Sequence, residues 1–230
     1  NAETVRPEGF DRCKFLVAQP KGGGRLAKVL FEYSAVTKAA QQAGADLLHV
    51  PYFGPPLGSS VATVVTVHDL LQLVVPALKG GPLTRLYNQF AIIGARHADF
   101  LLADSDHTQR DVERVLRVPS DHVQRVYLAC DGRYIPEPEP GERERLTDRY
   151  GLQGDYLLYT GGLDLRKNVT TLVRAYAQSG VTVPLAIAGA TRSGSRQFPD
   201  LQAVARAEGV LDRVQFLGWV EEGDKTALYR

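Results

Sequence analysis

Short runs of apolar residues alternate along the chain with segments in which apolar residues recur at helical spacing. Such runs are typical of buried strands, and the periodic segments are typical of amphipathic helices. In the first part of the chain, predicted strands cover residues 14–18, 47–50, 61–67, 100–103 and 126–129. Predicted helices lie between them, around residues 26–40, 83–93 and 106–116. Strands that alternate with helices indicate a mainly parallel sheet.

The composition changes sharply at residues 136–141, where Pro and Glu alternate before a Gly. Such a stiff, polar stretch is typical of a linker or an edge segment. The alternation then resumes, with predicted strands at residues 156–160, 185–188 and 214–217. We therefore predict an α/β protein with two Rossmann-like parallel-sheet domains that face a cleft. The predicted bounds are 1–135 for the first domain, 136–154 for the linker and 155–230 for the second domain.

The turn after the first strand of the second half carries the strongest chemical signal. Gly161 and Gly162 allow a positive φ or a close approach of a ligand to the backbone. Arg166 and Lys167 follow at the start of a predicted helix, for which Asn168 is the predicted N-cap. Helix N–H groups, the helix dipole and two cations together suit a phosphate group. The alternative from residue chemistry alone is an ordinary turn with two solvated cations.

Charge and composition exclude several classes of partner. With 27 basic and 26 acidic residues the formal net charge is +1, so no overall field favours nucleic acid. No apolar run is long enough to cross a bilayer, and residues 1–20 lack a secretory pattern. We expect a soluble, cytoplasmic protein, and leave contact with a membrane surface open. Cys13 and Cys130 give neither a disulfide framework nor metal-ligand spacing, and both are expected to be buried.

Several short segments follow one another in a distinctive order along the chain. They are LHVPY at 48–52, TVHDL at 66–70, ADFLLADS at 98–105, YTGG at 159–162 with RKN at 166–168, AIAG at 186–189 and RVQFLG at 213–218. Each is weak by itself, but the ordered set resembles the family 4 glycosyltransferases, which have the two-domain GT-B fold. The resemblance extends over roughly residues 45–230.

The resemblance implies retaining transfer of a sugar from a nucleotide-diphosphate sugar to a sugar or lipid acceptor. It implies that the second domain binds the donor and that neither a metal nor a cofactor is needed. Lys167 matches the family's donor-phosphate lysine. Gly162 stands where the family usually has an arginine, and we treat the nearby Arg166 as its substitute. Cations at this place stabilise the charge that develops on the departing diphosphate.

The resemblance also assigns residues at other strand ends. His68 is the predicted catalytic residue, close to the donor sugar, with a turn histidine tied to Asp69 as the alternative. Gly218 and Trp219 follow the last predicted strand, where the family binds the nucleotide base; the alternative is that Trp219 covers the sheet edge. Gly189 belongs to a further candidate loop for phosphate or sugar.

Two parts of the family pattern are missing from the chain. There is no glycine-rich loop before residues 14–18, and the family's paired glutamates are expected beyond Arg230. We therefore expect an internal fragment in which both domains are incomplete and which has little or no activity. Two other interpretations stay open: a non-catalytic nucleotide-sugar-binding module and a GT-B sugar-nucleotide epimerase. The base, the sugar, the acceptor and the oligomeric state are not predicted.

Overall fold

The structure is a computed structural model and describes Cys13, Val29 and residues 31–190 and 197–230. The chain divides into two compact units, residues 1–129 and 130–230. Each unit contains its own parallel sheet, which confirms the predicted α/β class. The strand predicted at 14–18 lies outside the described residues. Among the described helices, none has the length and apolar content needed to cross a bilayer.

The first unit is built on a parallel sheet whose order follows the chain, β1-β2-β3-β4. The strands are β1 Leu47–Val50, β2 Ala62–Val67, β3 Phe100–Ala103 and β4 Val123–Arg125. Val65 pairs with Leu101, which pairs in turn with Val123, and these three side chains belong to the core. The β-branched run of β2 is therefore a core strand, as a parallel sheet covered on both faces requires.

The helical elements of the first unit include the three predicted segments, described from residue 31 onwards, and shorter ones at 71–78 and 120–122 that the sequence did not predict. They are a π-helical turn Phe31–Ala35 that leads into α1 Val36–Gln42, α2 Leu71–Val74, a 3-10 turn Pro76–Leu78, α3 Pro82–His97, α4 Asp106–Asp111 with a π-helical continuation Val112–Leu116, and a 3-10 turn Ser120–His122. Ser105 caps α4, since its Oγ accepts a hydrogen bond of 3.1 Å from the N–H of Thr108.

The strand predicted at residues 126–129 is wrong, because β4 ends at Arg125. Val126 still donates its N–H to the carbonyl of Ala103 at 2.8 Å. The chain then leaves the sheet, and the large side chains of Tyr127 and Leu128 are exposed. The buried residue that anchors β4 is Val123, which lies among polar neighbours in the sequence.

The second unit has a three-stranded parallel sheet in the order β5-β6-β7. The strands are β5 Leu157–Thr160, β6 Leu185–Ala188 and β7 Val214–Gly218. The helices are α5 Glu142–Tyr150, α6 Val169–Gln178, α7 Leu201–Ala207 and α8 Lys225–Tyr229, with 3-10 turns at Leu165–Lys167, Leu211–Arg213 and Glu222–Asp224. The central strand β6 is buried along its whole length.

Helices cover both faces of the β6 strand. Leu185 and Ile187 pack with residues of α6 and α7. Ala186 and Ala188 pack on the other face with residues of α5 and α8. Within the stretch 136–154, which the sequence predicts to be a linker, α5 thus contributes a buried side chain, Leu146, to the core of the second unit.

Candidate functional site

A cavity of about 500 Å³ opens in the second unit at the carboxyl ends of its three strands. Its lining includes Thr160, Gly161 and Gly162 after β5, Ala188 and Gly189 at the end of β6, and Trp219 after β7. The carboxyl ends of parallel strands are the usual place for a ligand in an α/β sheet. Four of the glycine and tryptophan positions predicted from the sequence, Gly161, Gly162, Gly189 and Trp219, therefore meet at one cavity.

The glycine turns at this edge pack directly against each other. Gly161 has a φ of 143°, a value that favours glycine, and its N–H donates to the carbonyl of Ala188 at 3.1 Å. A Cβ atom added to Gly189 would lie 2.3 Å from the carbonyl oxygen of Gly161. The N–H of Gly189 donates to the carbonyl of Gly218 at 2.8 Å. Gly189 is thus required for the contact between the two turns, and Gly218 is linked to the same edge.

Arg166 lies in the 3-10 turn before α6, where Asp164 holds it. The Asp164 carboxylate accepts hydrogen bonds from the backbone N–H of Arg166 at 3.1 Å and from its Nε at 2.8 Å. The bond from the Arg166 side chain is the main cause that lowers the pKa of Asp164 below its usual value. Asp164 lines the cavity, whereas Arg166 and Lys167 are both absent from the lining. Much of the Arg166 charge is therefore already neutralised.

Asp164 is a site residue that the sequence analysis missed. An Asp two residues before a backbone N–H that it can cap is a common turn arrangement, and this spacing is visible in the sequence. The signal was obscured because the adjacent Arg-Lys pair was interpreted as part of a phosphate site, with two solvated cations as the alternative. Arg166 and Lys167 are both exposed, but only Arg166 is ion-paired with Asp164.

Lys167 ends the 3-10 turn and is exposed. No ion pair of its ammonium occurs within the described ranges, 31–190 and 197–230. Its Cγ lies 3.9 Å from the place where a Cβ of Gly162 would be, so the base of the side chain is next to the glycine turn. Asn168 follows with a φ of 50°, and its Oδ1 accepts from the hydroxyl of Thr171 rather than from a backbone N–H.

Aromatic and cationic side chains form the remaining wall of the cavity. The ring of Trp219 is largely exposed and lies 5.9 Å from the Nζ of Lys225. Lys225 is ion-paired with Glu222. Tyr134 and Tyr229 meet edge to face, with ring centroids 5.6 Å apart. This wall therefore offers aromatic faces that can contact a planar ring, together with a cation. Of these residues, only Trp219 was identified from the sequence.

His68, the predicted catalytic residue, lies at the end of β2 in the first unit. Its Nδ1 is 3.1 Å from the Asp104 carboxylate and its Nε2 is 3.1 Å from the carbonyl oxygen of Pro51. Both oxygens are acceptors, so both bonds form together only when both ring nitrogens carry hydrogen. The Asp69 carboxylate instead accepts a hydrogen bond of 3.0 Å from the N–H of Leu71, the first residue of α2. The partner of His68 is therefore Asp104 and not Asp69.

A second cavity of about 230 Å³ lies beside His68, wholly within the first unit. Its lining includes Tyr52, Phe53, His68, Asp69, Tyr87 and Asn88. The hydroxyl of Tyr87 donates to the buried carboxylate of Glu32 at 2.9 Å. Burial, followed by the charge of Glu32, raises the pKa of Tyr52 to about 12. Aromatic faces with a few fixed polar groups are suited to a ligand rich in hydroxyl groups.

The cysteines differ from the expectation. Cys13 and Cys130 are both exposed, so the prediction that they are buried is wrong. Cys130 lies in the segment that leaves the sheet after β4, where neighbouring large side chains are exposed too. No group of three or more His, Cys, Asp or Glu side chains suited to a metal ion occurs in the part of the chain that the structure describes.

The sequence profile of Glycosyltransferase Family 4 matches residues 6–131, which is more than half of the chain. The chain belongs to glycosyltransferase family 4. This confirms the resemblance drawn from the ordered motifs. The profile match falls mainly on the first unit, which carries His68 and its cavity.

Relatives of this family 4 glycosyltransferase include named enzymes. The O-antigen chain mannosyltransferase B of Escherichia coli is 29% identical over 177 residues, which cover 72% of this chain and 44% of that protein. The D-inositol 3-phosphate glycosyltransferase of Xylanimonas cellulosilytica is 27% identical over 163 residues, covering 67% of this chain and 39% of that protein. The chain thus spans less than half the length of these two relatives.

Solved structures support the fold of the family 4 glycosyltransferase over nearly the whole chain. The crystal structure of Anabaena HepE in complex with UDP and glucose matches with a TM-score of 0.64 at 19% identity. The match covers 93% of this chain and 57% of that one. At this identity the likeness shows the fold alone, which is the predicted GT-B fold.

Proposed function

We propose that this family 4 glycosyltransferase transfers a sugar from a nucleoside-diphosphate sugar to an acceptor, with retention of the anomeric configuration. The observation that carries the proposal is the cavity at the carboxyl ends of β5, β6 and β7, where three glycine positions and Trp219 meet. Lys167 does not line this cavity, but its Cγ lies next to Gly162, which does. Family membership supports glycosyl transfer as the reaction. The UDP and glucose bound to HepE, a protein of the same fold, support this class of donor.

In this proposal the diphosphate lies against the turn at Gly161 and Gly162, near the start of α6. Backbone N–H groups at a helix start and the ammonium of Lys167 offset its charge. Arg166 contributes less than the sequence suggests, because Asp164 already binds its guanidinium. The base lies along the wall formed by Trp219 and Tyr229, where a flat ring has apolar contact.

The charge that matters for the rate develops when the bond from the sugar to the diphosphate breaks. Fixed cations and N–H dipoles that point at the leaving group stabilise this transition state without reorganising. We assign this role to Lys167 and the glycine turn, with no metal and no cofactor. His68 is assigned to a sugar hydroxyl, which would replace Pro51 as the partner of Nε2 while Asp104 keeps Nδ1.

Replacing Lys167 with alanine is expected to weaken binding of the donor roughly tenfold or more, since a hydrogen bond to a charged group contributes about 1.5–3 kcal/mol. Calorimetric titration with UDP-, GDP- and ADP-sugars measures the affinity. Lys38→Ala, a change at an exposed lysine of α1, is the matched control and should bind the donor as wild type does. Equal donor affinity of Lys167→Ala and wild type would show that Lys167 does not bind the donor phosphate.

Turnover is tested separately from binding. Incubation of the chain with its best donor and candidate sugar or lipid acceptors, followed by proton NMR of the anomeric position, reports both transfer and retention. Addition of a chelator tests the proposed independence from metals. We expect little turnover from the 230-residue chain alone. Donor binding without any product in longer forms of the protein would favour a binding module instead.

A further inference from the structure

Tyr134 reaches the cavity of the second unit from a segment without helix or strand. Residues 130–135 are the first residues of the second unit and follow directly on the last residues of the first. Tyr134 is partly buried, whereas its neighbours at 131–133 and 135 are exposed. Its side chain lines the cavity together with Trp219 and Tyr229. The segment that connects the two units in the sequence therefore contributes a ring to the proposed donor cavity.

Side-chain contacts on either side of Tyr134 hold this segment on the second unit. The Nη2 of Arg133 donates to the Glu222 carboxylate at 2.5 Å, and the Nη1 of Arg230 donates to the carbonyl of Ile135 at 3.2 Å. The Arg133 guanidinium also lies 5.3 Å from the centroid of the Tyr134 ring. The ion pair of Arg133 and Glu222 is exposed, so it positions the segment but contributes little to stability.

The aromatic rings of this cavity leave much of their surface to a ligand. Trp219 and Tyr229 are 69% and 58% exposed although both line the cavity. Tyr134 meets Tyr229 edge to face, and its hydroxyl forms no hydrogen bond within residues 31–190 and 197–230. The cavity therefore uses Tyr134 through its ring. Exposed aromatic rings around a cavity are suited to a planar ligand, because stacking needs only a flat π-surface.

We propose that Tyr134 contacts the base of the bound nucleoside diphosphate, and that the ion pair of Arg133 and Glu222 positions the tyrosine for this contact. The inference rests on the proposed donor site, since it needs a base in that cavity. Every base has a π-face, so Tyr134 adds affinity for the nucleotide without choosing among bases. The same contact stabilises the position of residues 130–135 on the second unit, because the nucleotide binds the protein in that position.

Calorimetric titration with UDP, GDP, ADP and pyrophosphate tests the role of the ring. Tyr134→Ala should weaken binding of the tightest nucleotide about tenfold, as the loss of an aromatic ring beside a base does. Tyr134→Phe keeps the ring and should bind as wild type does. Pyrophosphate has no base, so Tyr134→Ala should leave its affinity unchanged. The matched control is Tyr127→Ala, which removes an exposed tyrosine of the first unit and should change neither affinity.

A double-mutant cycle tests the positioning role of Arg133. Arg133→Gln should weaken nucleotide binding about threefold, in keeping with the small contribution of an exposed ion pair. In a protein that already carries Tyr134→Ala, Arg133→Gln should have no further effect, because it acts through the tyrosine. Arg174→Gln breaks the ion pair with Glu208 in the same unit and should bind the nucleotide as wild type does. Circular dichroism checks that each variant is folded.

The possible outcomes separate this inference from the donor site itself. If Tyr134→Ala binds the nucleotide as wild type does while Lys167→Ala does not, the inference is overturned and the donor site stands. Equal losses of nucleotide and pyrophosphate affinity in Tyr134→Ala also overturn it, because they indicate a distorted cavity. An equal effect of Arg133→Gln with and without the Tyr134 ring overturns the positioning role. If wild type binds no nucleotide, the donor site and the inference fail together.

Discussion

Replacing Gly189 with alanine is expected to destabilise the second unit by roughly 1–3 kcal/mol, the range found when a packed site must accept an extra methyl group. The added Cβ would lie 2.3 Å from the carbonyl oxygen of Gly161 and 2.9 Å from the Cγ of Leu163. Leu163 is almost fully buried, so it has little room to move. The backbone of one turn must therefore shift, which strains the hydrogen bond from Gly161 to Ala188.

The same change should weaken donor binding, because the displaced turn is the one proposed to hold the diphosphate. Urea unfolding followed by the fluorescence of Trp219, the single tryptophan of the chain, reports on the second unit. Gly132→Ala is the matched control, since a Cβ there meets no atom within 4 Å. An unfolding midpoint and a donor affinity equal to those of wild type in Gly189→Ala would contradict the contact between the turns.

The sequence predicted the buried strands well because their apolar runs are uninterrupted. The predicted bounds of β1 and β3 agree with Leu47–Val50 and Phe100–Ala103. The strand β4 was misplaced because its sequence is polar except for Val123, whereas the apolar run after it is exposed. An apolar run indicates burial on average, and only the pairing of Val123 with Leu101 determines which segment joins the sheet.

The candidate donor site was predicted in part, for a similar reason. Glycine turns after strands are local features, so Gly161 and Gly189 could be found from the sequence alone. The neutralisation of Arg166 depends on where the Asp164 carboxylate turns, which needs coordinates. Tyr134 and Tyr229 are far apart in sequence, and only tertiary packing brings their rings together at the cavity wall.

Removal of the Asp224 carboxylate is expected to have the second large effect. Asp224 is 3% exposed and accepts hydrogen bonds from the Nε of Arg145 at 2.9 Å, from Arg149 at 2.8 Å and from the hydroxyl of Tyr150 at 2.8 Å. All three donors belong to α5, whereas Asp224 immediately precedes α8, which carries Leu228 and Tyr229 of the proposed donor cavity. The hydrogen bonds of the Asp224 carboxylate thus connect α5 to the start of α8, the helix that contributes to the cavity wall.

Asp224→Ala should destabilise the second unit by about 3 kcal/mol, the lower end for breaking a buried ion pair, because both arginines are partly solvated. The matched control is Glu208→Gln, which removes a partly exposed ion pair with Arg174 and should change stability by less than about 1 kcal/mol. Urea unfolding of both variants, followed by Trp219 fluorescence, measures the difference. A loss no larger than that of the control would contradict the tie between α5 and α8.

The free energy of unfolding that Asp224→Ala loses should depend on pH, and the direction follows from the pKa shift of Asp224. Burial alone raises the pKa of Asp224, but the bonds from Tyr150, Arg149 and Arg145 outweigh it, so the pKa is lowered from 3.8. A carboxyl group whose pKa is lower in the folded protein than in the unfolded chain stabilises the fold at pH values above its unfolded pKa. This stabilisation is lost as the pH falls through the folded pKa. The difference between wild type and Asp224→Ala should therefore stay constant from pH 8 to about pH 5 and shrink below about pH 4. A difference that grows on acidification would show that the Asp224 carboxyl is protonated more easily in the folded protein than in the unfolded chain.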